Sequence, residues 1–162
     1  MNLIIDGHNL IPYIPGIALD DPEDEMALIK RLVDYAREHK ATIDVFFDQA
    51  AHGQPGERSF GAVKAHFVQK GKTADQAIIA FLHRLGKNAW NYQVVTSDRM
   101  VIVAVKSMHA GHLTSAGFAA QMAKADQARA GEEDPQPELS PGEVDEWEKM
   151  FKDARRQEKY NK

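Results

Sequence analysis

Cysteine is absent from the 162 residues, so disulfides and thiolate metal sites are excluded and any metal must be held by oxygen or imidazole. No apolar run approaches the length that crosses a bilayer, and residues 1–10 lack the basic flank and cleavage site of a signal peptide. A cytoplasmic protein with no membrane partner is expected. An excess of positive charge is also missing: 20 Lys and Arg stand against 24 Asp and Glu, a net charge of −4. That argues against non-specific coating of nucleic acid, though not against a local basic face. There is no P-loop, GxGxxG fingerprint or Ser-His-Asp motif. The seven histidines show no ligand spacing such as HxxxH, so a zinc site is not expected.

What remains is an ordinary globular composition, 43% hydrophobic and 27% charged, in a length that suits one domain with a short appendage. No internal repeat is visible. Asn2-Leu3-Ile4-Ile5 reads as a short buried strand that ends, unexpectedly for such a strand, on Asp6. A Pro- and Gly-bearing loop, Ile11 to Leu19, leads to Asp20-Asp21-Pro22-Glu23, a helix start with an Asp cap and Pro at the first helical position. Met26, Ile29, Leu32, Val33 and Ala36 then form one apolar helix face to about His39. Thr42 to Phe47 is β-branched and aromatic and predicts a second strand, closed by Asp48.

Residues 49–61, with three glycines and no periodicity, predict a long loop, and Ala62 to Gln69 a third strand. Thr73-Ala74-Asp75-Gln76 opens a helix as a capping box, and Gly86 closes it. Tyr92 to Thr96 predicts a fourth strand, Ser97-Asp98 the start of a helix to about Met108, and His112-Leu113-Thr114 a fifth strand. Ser115 then opens a helix to roughly Ala128. Thr73, Ser97 and Ser115 are all candidate N-caps. Residues 1–130 thus form the expected domain, 131–140 a polar linker, and 141–162 an amphipathic C-terminal helix with Val144, Trp147, Met150 and Phe151 in one stripe. Strands separated by helices imply an α/β fold, a mostly parallel sheet with helices on both faces.

The strands share a punctuation. The first ends at Asp6, the second at Asp48 and the fourth at Ser97-Asp98, while Asp75 begins the helix after the third. In a parallel sheet all carboxyl ends lie on one edge, where ligands bind. Four carboxylates there would repel one another and raise their pKa values unless a hard cation, Mg²⁺ or Mn²⁺, sat among them. Such an ion suits hydrolysis of a phosphodiester. Each acid also has an ordinary reading: Asp75 and Asp98 complement helix dipoles, and Asp6 and Asp48 make turns. Between residues 56 and 106, Arg58, Lys64, Lys70, Lys72, Arg84, Lys87, Arg99 and Lys106 outnumber Glu57, Asp75 and Asp98. A basic surface around an acidic pocket fits a polyanionic substrate, although each lysine singly is an unremarkable solvated side chain.

IIDGHN, FFD, KGKTADQAI and VVTSDR, in that order over residues 2–125, resemble the YacP-like NYN-domain proteins of the PIN-like nuclease superfamily. LSPGEVDEWEKMF is similar to the C-terminal helix that many of them carry. The resemblance implies a Rossmann-like three-layer sandwich and a metal-dependent endoribonuclease acting on RNA, with mRNA on the ribosome as the implied substrate. It implies Asp6, Asp75 and Asp98 as the catalytic, metal-binding acids, with Asp48 beside them. Asn9, Thr73, Ser97 and Arg99 would support them, and Arg58, Lys64, Lys70, Lys72 and Arg99 would grip RNA. The opening motif of the group usually reads DGYN, whereas His8 stands here, and no glutamate obviously matches the acid that many PIN nucleases place on an early helix.

Two other classes compete. One is a non-catalytic RNA- or ribosome-binding module on the same scaffold. The other is a receiver-type or dehalogenase-type domain, but Asn9 stands three residues after Asp6 where the latter needs a DxD pair, and Asp20 and Asp21 lie too far along for the former.

Overall fold

The computed structural model describes residues 1–18, 23–48 and 55–131. Its centre is a six-stranded sheet: β1 (Asn2–Asp6), β2 (Thr42–Phe47), β3 (Gly56–Phe60), β4 (Val63–Phe67), β5 (Tyr92–Val95) and β6 (Gly111–Leu113), in the order β3-β4-β2-β1-β5-β6. Every pairing is parallel except β3 with β4. Around it lie α1 (Gly7–Leu10), α2 (Asp24–His39), α3 (Ala74–Leu85), α4 (Arg99–Ser107) and α5 (Ser115–Gly131). Among the described residues no helix is long and apolar enough to cross a membrane.

The period-two alternation of the strands sorts their side chains into two cores. Leu3 and Ile5 of β1 and Ile43, Val45 and Phe47 of β2 join the face covered by α2 and α5, with Leu28, Leu32 and Phe118. Ile4, Phe46 and Val94 join the opposite core, with Ile78 and Leu82 of α3 and Val101 and Val105 of α4. The apolar stripe predicted for α2 is buried as expected, and the helix ends at Lys40 in the left-handed conformation (φ 50°).

Several expectations change. Residues 56–60, read as loop, are the antiparallel edge strand β3, joined to β4 through a turn in which Gly61 has φ +65°. Its sequence GERSF lacks the apolar alternation of a buried strand because most of it is exposed. Ile11–Tyr13, placed in a loop, is a 3₁₀ turn that continues α1. The third strand is shorter than Ala62–Gln69, and α5 runs on to Gly131. Residues 19–22, which hold the predicted Asp20 cap and Pro22, residues 49–54, and the predicted linker and C-terminal helix beyond 131 lie outside the described residues.

Candidate active site

Because β1, β2, β4 and β5 run the same way, their carboxyl ends share one rim of the sheet. The chain leaves β1 toward β2 and β4, then α3 carries it back across to β5 on the other side. The order therefore reverses at β1, where open α/β sheets form their ligand crevice. Asp6 ends β1, Asp48 follows β2, Asp75 lies in the first turn of α3, and Asp98 caps α4 after β5.

Asp6 is 6% exposed. Burial, and then the negative charge of Asp75, push its carboxyl up to about 7, and a hydrogen bond shared with Asp75 pushes the same way. The Asn9 backbone amide donates to Asp6 and opposes that rise. Asp75 is also raised, first by burial and then by the charge of Asp98, while its hydrogen bond to Asp6 acts downward. The raised carboxyl of Asp6 favours its protonated form, and a hydrogen bond joins it to Asp75. Asp75 is hydrogen-bonded to Asp98 as well, and the charge of Asp48 bears on both Asp6 and Asp75. The four acids therefore form one electrostatic unit with Asp75 at its middle.

Two of them also serve the backbone. Asp48 accepts from the amide of Ala74, tying the end of β2 to the first residue of α3. Asp98 accepts from the amides of Met100 (2.9 Å) and Val101 (3.2 Å) as the N-cap of α4. Of the three predicted hydroxyl caps only Thr73 has that role. It accepts from Gln76 N at 3.1 Å while the Gln76 side chain accepts from Thr73 N at 3.2 Å. Asp98 takes the position expected for Ser97, and Thr114, which accepts from Gly117 N at 3.0 Å, the one expected for Ser115.

Ser97 and Ser115 instead meet Asn9. The Asn9 Oδ1 accepts from Ser97 N (3.0 Å) and from the buried Ser115 Oγ (2.5 Å), pinning the turn after β1 to the end of β5 and the start of α5. Gly7 is required by close packing rather than by its backbone angle. A Cβ there would run into the Phe47 ring and come within 3.1 Å of the Phe46 carbonyl.

His8 bonds Glu25 Oε1 at 3.0 Å and meets Phe47 edge-on at 5.5 Å. The Glu25 hydrogen bond raises the imidazole above its ordinary value against the opposing effect of burial. Glu25, in the first turn of α2 and 8% exposed, was missed by sequence reasoning. It lies in the run DDPEDE, where helix-dipole complementarity accounts for every acid equally well, and only the spacing to His8 across the fold singles it out.

The basic residues do not form one patch. Lys70 and Lys72 are exposed in the turn before α3, and Arg99 is exposed at the start of α4. Lys64 pairs with Glu57 at 3.9 Å. Arg58 lies over the Phe67 ring at 5.6 Å, on the opposite face of the sheet from Lys64 by strand register.

An all-carboxylate donor set, with carboxyls already raised by one another's charge, fits a hard divalent cation. As they stand, no three acidic or histidine side chains among the described residues are gathered closely enough to hold one ion. One oxygen each of Asp48 and Asp98 is turned to backbone amides instead.

Residues 3–157 match the profile of the YacP-like NYN domain. Two crystal structures of Rae1 (YacP) from Bacillus subtilis share the fold. The W164L mutant superposes with a TM-score of 0.64 at 22% identity, over 78% of this chain and 77% of that one. The other superposes with a TM-score of 0.63 at 23% identity, over 80% and 79%. No curated protein matches the chain significantly in sequence.

Proposed function

Since this chain belongs to the YacP-like NYN family, a group of PIN-like nucleases that generally use divalent metals, we propose that it is a cytoplasmic, Mg²⁺- or Mn²⁺-dependent endoribonuclease. Its proposed substrate is mRNA, engaged on the ribosome. The observation that supports this reading is the placement of Asp6, Asp48, Asp75 and Asp98, from four separate stretches of chain, along the carboxyl edge at the sheet's switch point, with Asp75 hydrogen-bonded to both Asp6 and Asp98. Asp48 and Asp98 also serve the backbone, but the gathering of Asp6 and Asp75, whose carboxyls are both raised by burial and by neighbouring negative charge, costs stability that those roles do not explain.

In this reading Asp6, Asp75 and Asp98 hold the cation, and Asp48 contacts it directly or through water. The ion, when bound, supplies positive charge where the phosphodiester gains negative charge in the transition state. Asp75, between two acids, is the proposed centre of that ligand set. Thr73 positions it by capping α3, and Asn9 positions Asp6 through its amide and the β5 turn through its side chain. The exposed Arg99, next to Asp98 in the chain, and Lys70 and Lys72, just before Asp75, are the proposed contacts to RNA phosphates. Arg58 and Lys64 lie on opposite faces of the β3–β4 hairpin, so at most one of them belongs to the same RNA path.

Asp75→Asn, checked to fold by circular dichroism, is expected to cut single-stranded RNA at least 100-fold more slowly than the parent, the scale of losing one preorganised electrostatic group. Equal rates would overturn the reading.

The engagement of Asp48 and Asp98 with backbone amides favours a second reading, a non-catalytic RNA- or ribosome-binding module. Calorimetric titration with Mn²⁺ separates the two. Saturable binding lost in Asp75→Asn supports the nuclease, and absent Mn²⁺ binding with RNA affinity intact supports the module.

A further inference from the structure

The carboxyl edge of the sheet is rich in acceptors and poor in free donors. Beside the four acids the backbone amides are already engaged: Ala74 N with Asp48, Met100 N and Val101 N with Asp98, and Asn9 N with Asp6. An anionic substrate oxygen brought against carboxylates is repelled unless a cation or a hydrogen-bond donor faces it.

The Asn9 side chain supplies such a donor. Ser97 N–H can only donate, so the amide atom that faces it at 3.0 Å is the Asn9 oxygen. The Ser115 hydroxyl donates to the same oxygen at 2.5 Å. Both lone pairs of Oδ1 are thus used, and the planar amide cannot turn without losing a bond to each serine. The amino group, Nδ2, lies on the other arm of the amide, and no atom among the described residues accepts from it. Pinning the two segments together uses the oxygen alone, and the amino group is what that role leaves over. Its place is also fixed. Asn9 follows Asp6 by three residues and bonds it through its own amide, while its oxygen holds Ser97, the residue before Asp98. The partly exposed side chain therefore crosses the crevice from the turn after β1 to the end of β5.

From this geometry we infer that Asn9 Nδ2 donates to a non-bridging oxygen of the phosphodiester that is cut, which makes Asn9 a catalytic residue as well as a pin between segments. The inference rests on the RNA-cleavage reading above and adds to it a named contact on the scissile group. A phosphoryl oxygen suits the amino group because it only accepts, and because its negative charge is what the acids oppose. That charge grows in the transition state, where a donor already in place gains most. The two serines hold the amide before substrate arrives, so little rotamer freedom is lost when the bond forms. Arg99, Lys70 and Lys72 are exposed at the rim and lack such a hold.

Asn9→Asp keeps an oxygen for Ser97 N and Ser115 Oγ and replaces the amino group by an acceptor. The full chain and this variant are given single-stranded RNA with one phosphorothioate at the cleaved linkage, as separate Rp and Sp forms. Mn²⁺ is the cation, because it accepts sulfur as a ligand. Sulfur is a weak hydrogen-bond acceptor, and the intrinsic effect of the substitution is common to both forms, so the ratio of their rates reports the contact. The parent is expected to cut one form about tenfold more slowly than the other, the scale of one hydrogen bond to a charged oxygen. Asn9→Asp is expected to cut all-oxygen RNA at least 100-fold more slowly. Its ratio should fall to within about twofold of one, because the two changes remove the same contact. Ser115→Ala, which loosens the pin and keeps the amino group, is expected to retain the parental ratio. Thermal melting checks folding, and Asn9→Ala carries the same ratio test should Asn9→Asp not fold. The inference is overturned if the parent prefers neither form, if the Asn9 variants keep the preference, or if Ser115→Ala loses it too. Cleavage reports separately. Asp75-dependent cleavage with a ratio indifferent to Asn9 removes this contact alone. An unchanged rate in Asp75→Asn with an Asn9-dependent ratio removes the proposed acid site and supports the contact, and a parent that cuts no RNA removes both.

Discussion

At the scale of the residue, Asp6 carries the largest conflict between stability and chemistry. Its carboxyl is pushed up to about 7 by burial and then by Asp75, whereas an unfolded chain ionises it near 3.8. The native state therefore binds the extra proton between those values. The stabilisation is fully present below the unfolded pKa and is lost as pH rises through the folded one. Asp6→Asn removes this dependence. It is expected to be more stable than the parent by roughly 1–3 kcal/mol at about pH 8, with the gain vanishing toward about pH 4. Urea unfolding at the two pH values measures it, and a gain that did not grow with pH would contradict the raised carboxyl of Asp6. That Asp6 is an unusual acid was legible from the sequence, since it ends an otherwise apolar strand. That its carboxyl is raised was not, because the rise comes first from burial in the folded sheet and then from Asp75, sixty-nine residues further on. His8 likewise has no meaning in isolation; its partner Glu25 comes from a different element.

At the scale of the element, α3 was the most readable part of the chain. Thr73 and Gln76 make the capping box that their spacing announces, and Gly86 ends the helix. The cap also presents Asp75, because the amide of Ala74 beside it is held by Asp48. Thr73→Ala is expected to cost about 1 kcal/mol in urea unfolding. It should also lower cleavage more than that loss of folded protein explains at room temperature, since the first turn of α3 frays. A variant as stable and as active as the parent would deny the cap its positioning role. The hairpin β3–β4 was read only in part. An exposed edge strand gains its order from backbone pairing with β4, which leaves no apolar alternation in GERSF to detect. The hydroxyl caps show a related ambiguity. TSD and LTS each offer neighbouring cap candidates, and the fold selects Asp98 and Thr114, while the Ser97 hydroxyl accepts from Ser115 N and the Ser115 hydroxyl donates to Asn9.

At the scale of the whole molecule, the acid unit is a property of topology, and its test is a bound cation. A ligand that binds only the native state stabilises it by mass action, by about 2.7 kcal/mol at one hundred times its Kd. For a chain of this size that corresponds to a rise in Tm of roughly 5–10 °C. Mn²⁺ is expected to give such a rise in the parent, with EDTA reversing it and Asp75→Asn abolishing it. The rise should grow between about pH 6 and pH 8, because the cation displaces the proton held by Asp6. A parent Tm indifferent to Mn²⁺ would leave the non-catalytic module as the better account.

Periodicity, capping spacing and the recurrence of aspartate after apolar runs are local, so the sequence by itself determined the alternation of strands and helices and named the four acids. Parallel strands then required those acids to share an edge. Only the tertiary structure decided which of them touch, that Asp6 and Asp75 are hydrogen-bonded with raised carboxyls, and that Glu25 answers His8. It also decided that Ser97 and Ser115 both meet the Asn9 oxygen and leave its amino group over. Those outcomes depend on strand order and on distances between segments remote in the chain, which no local pattern encodes.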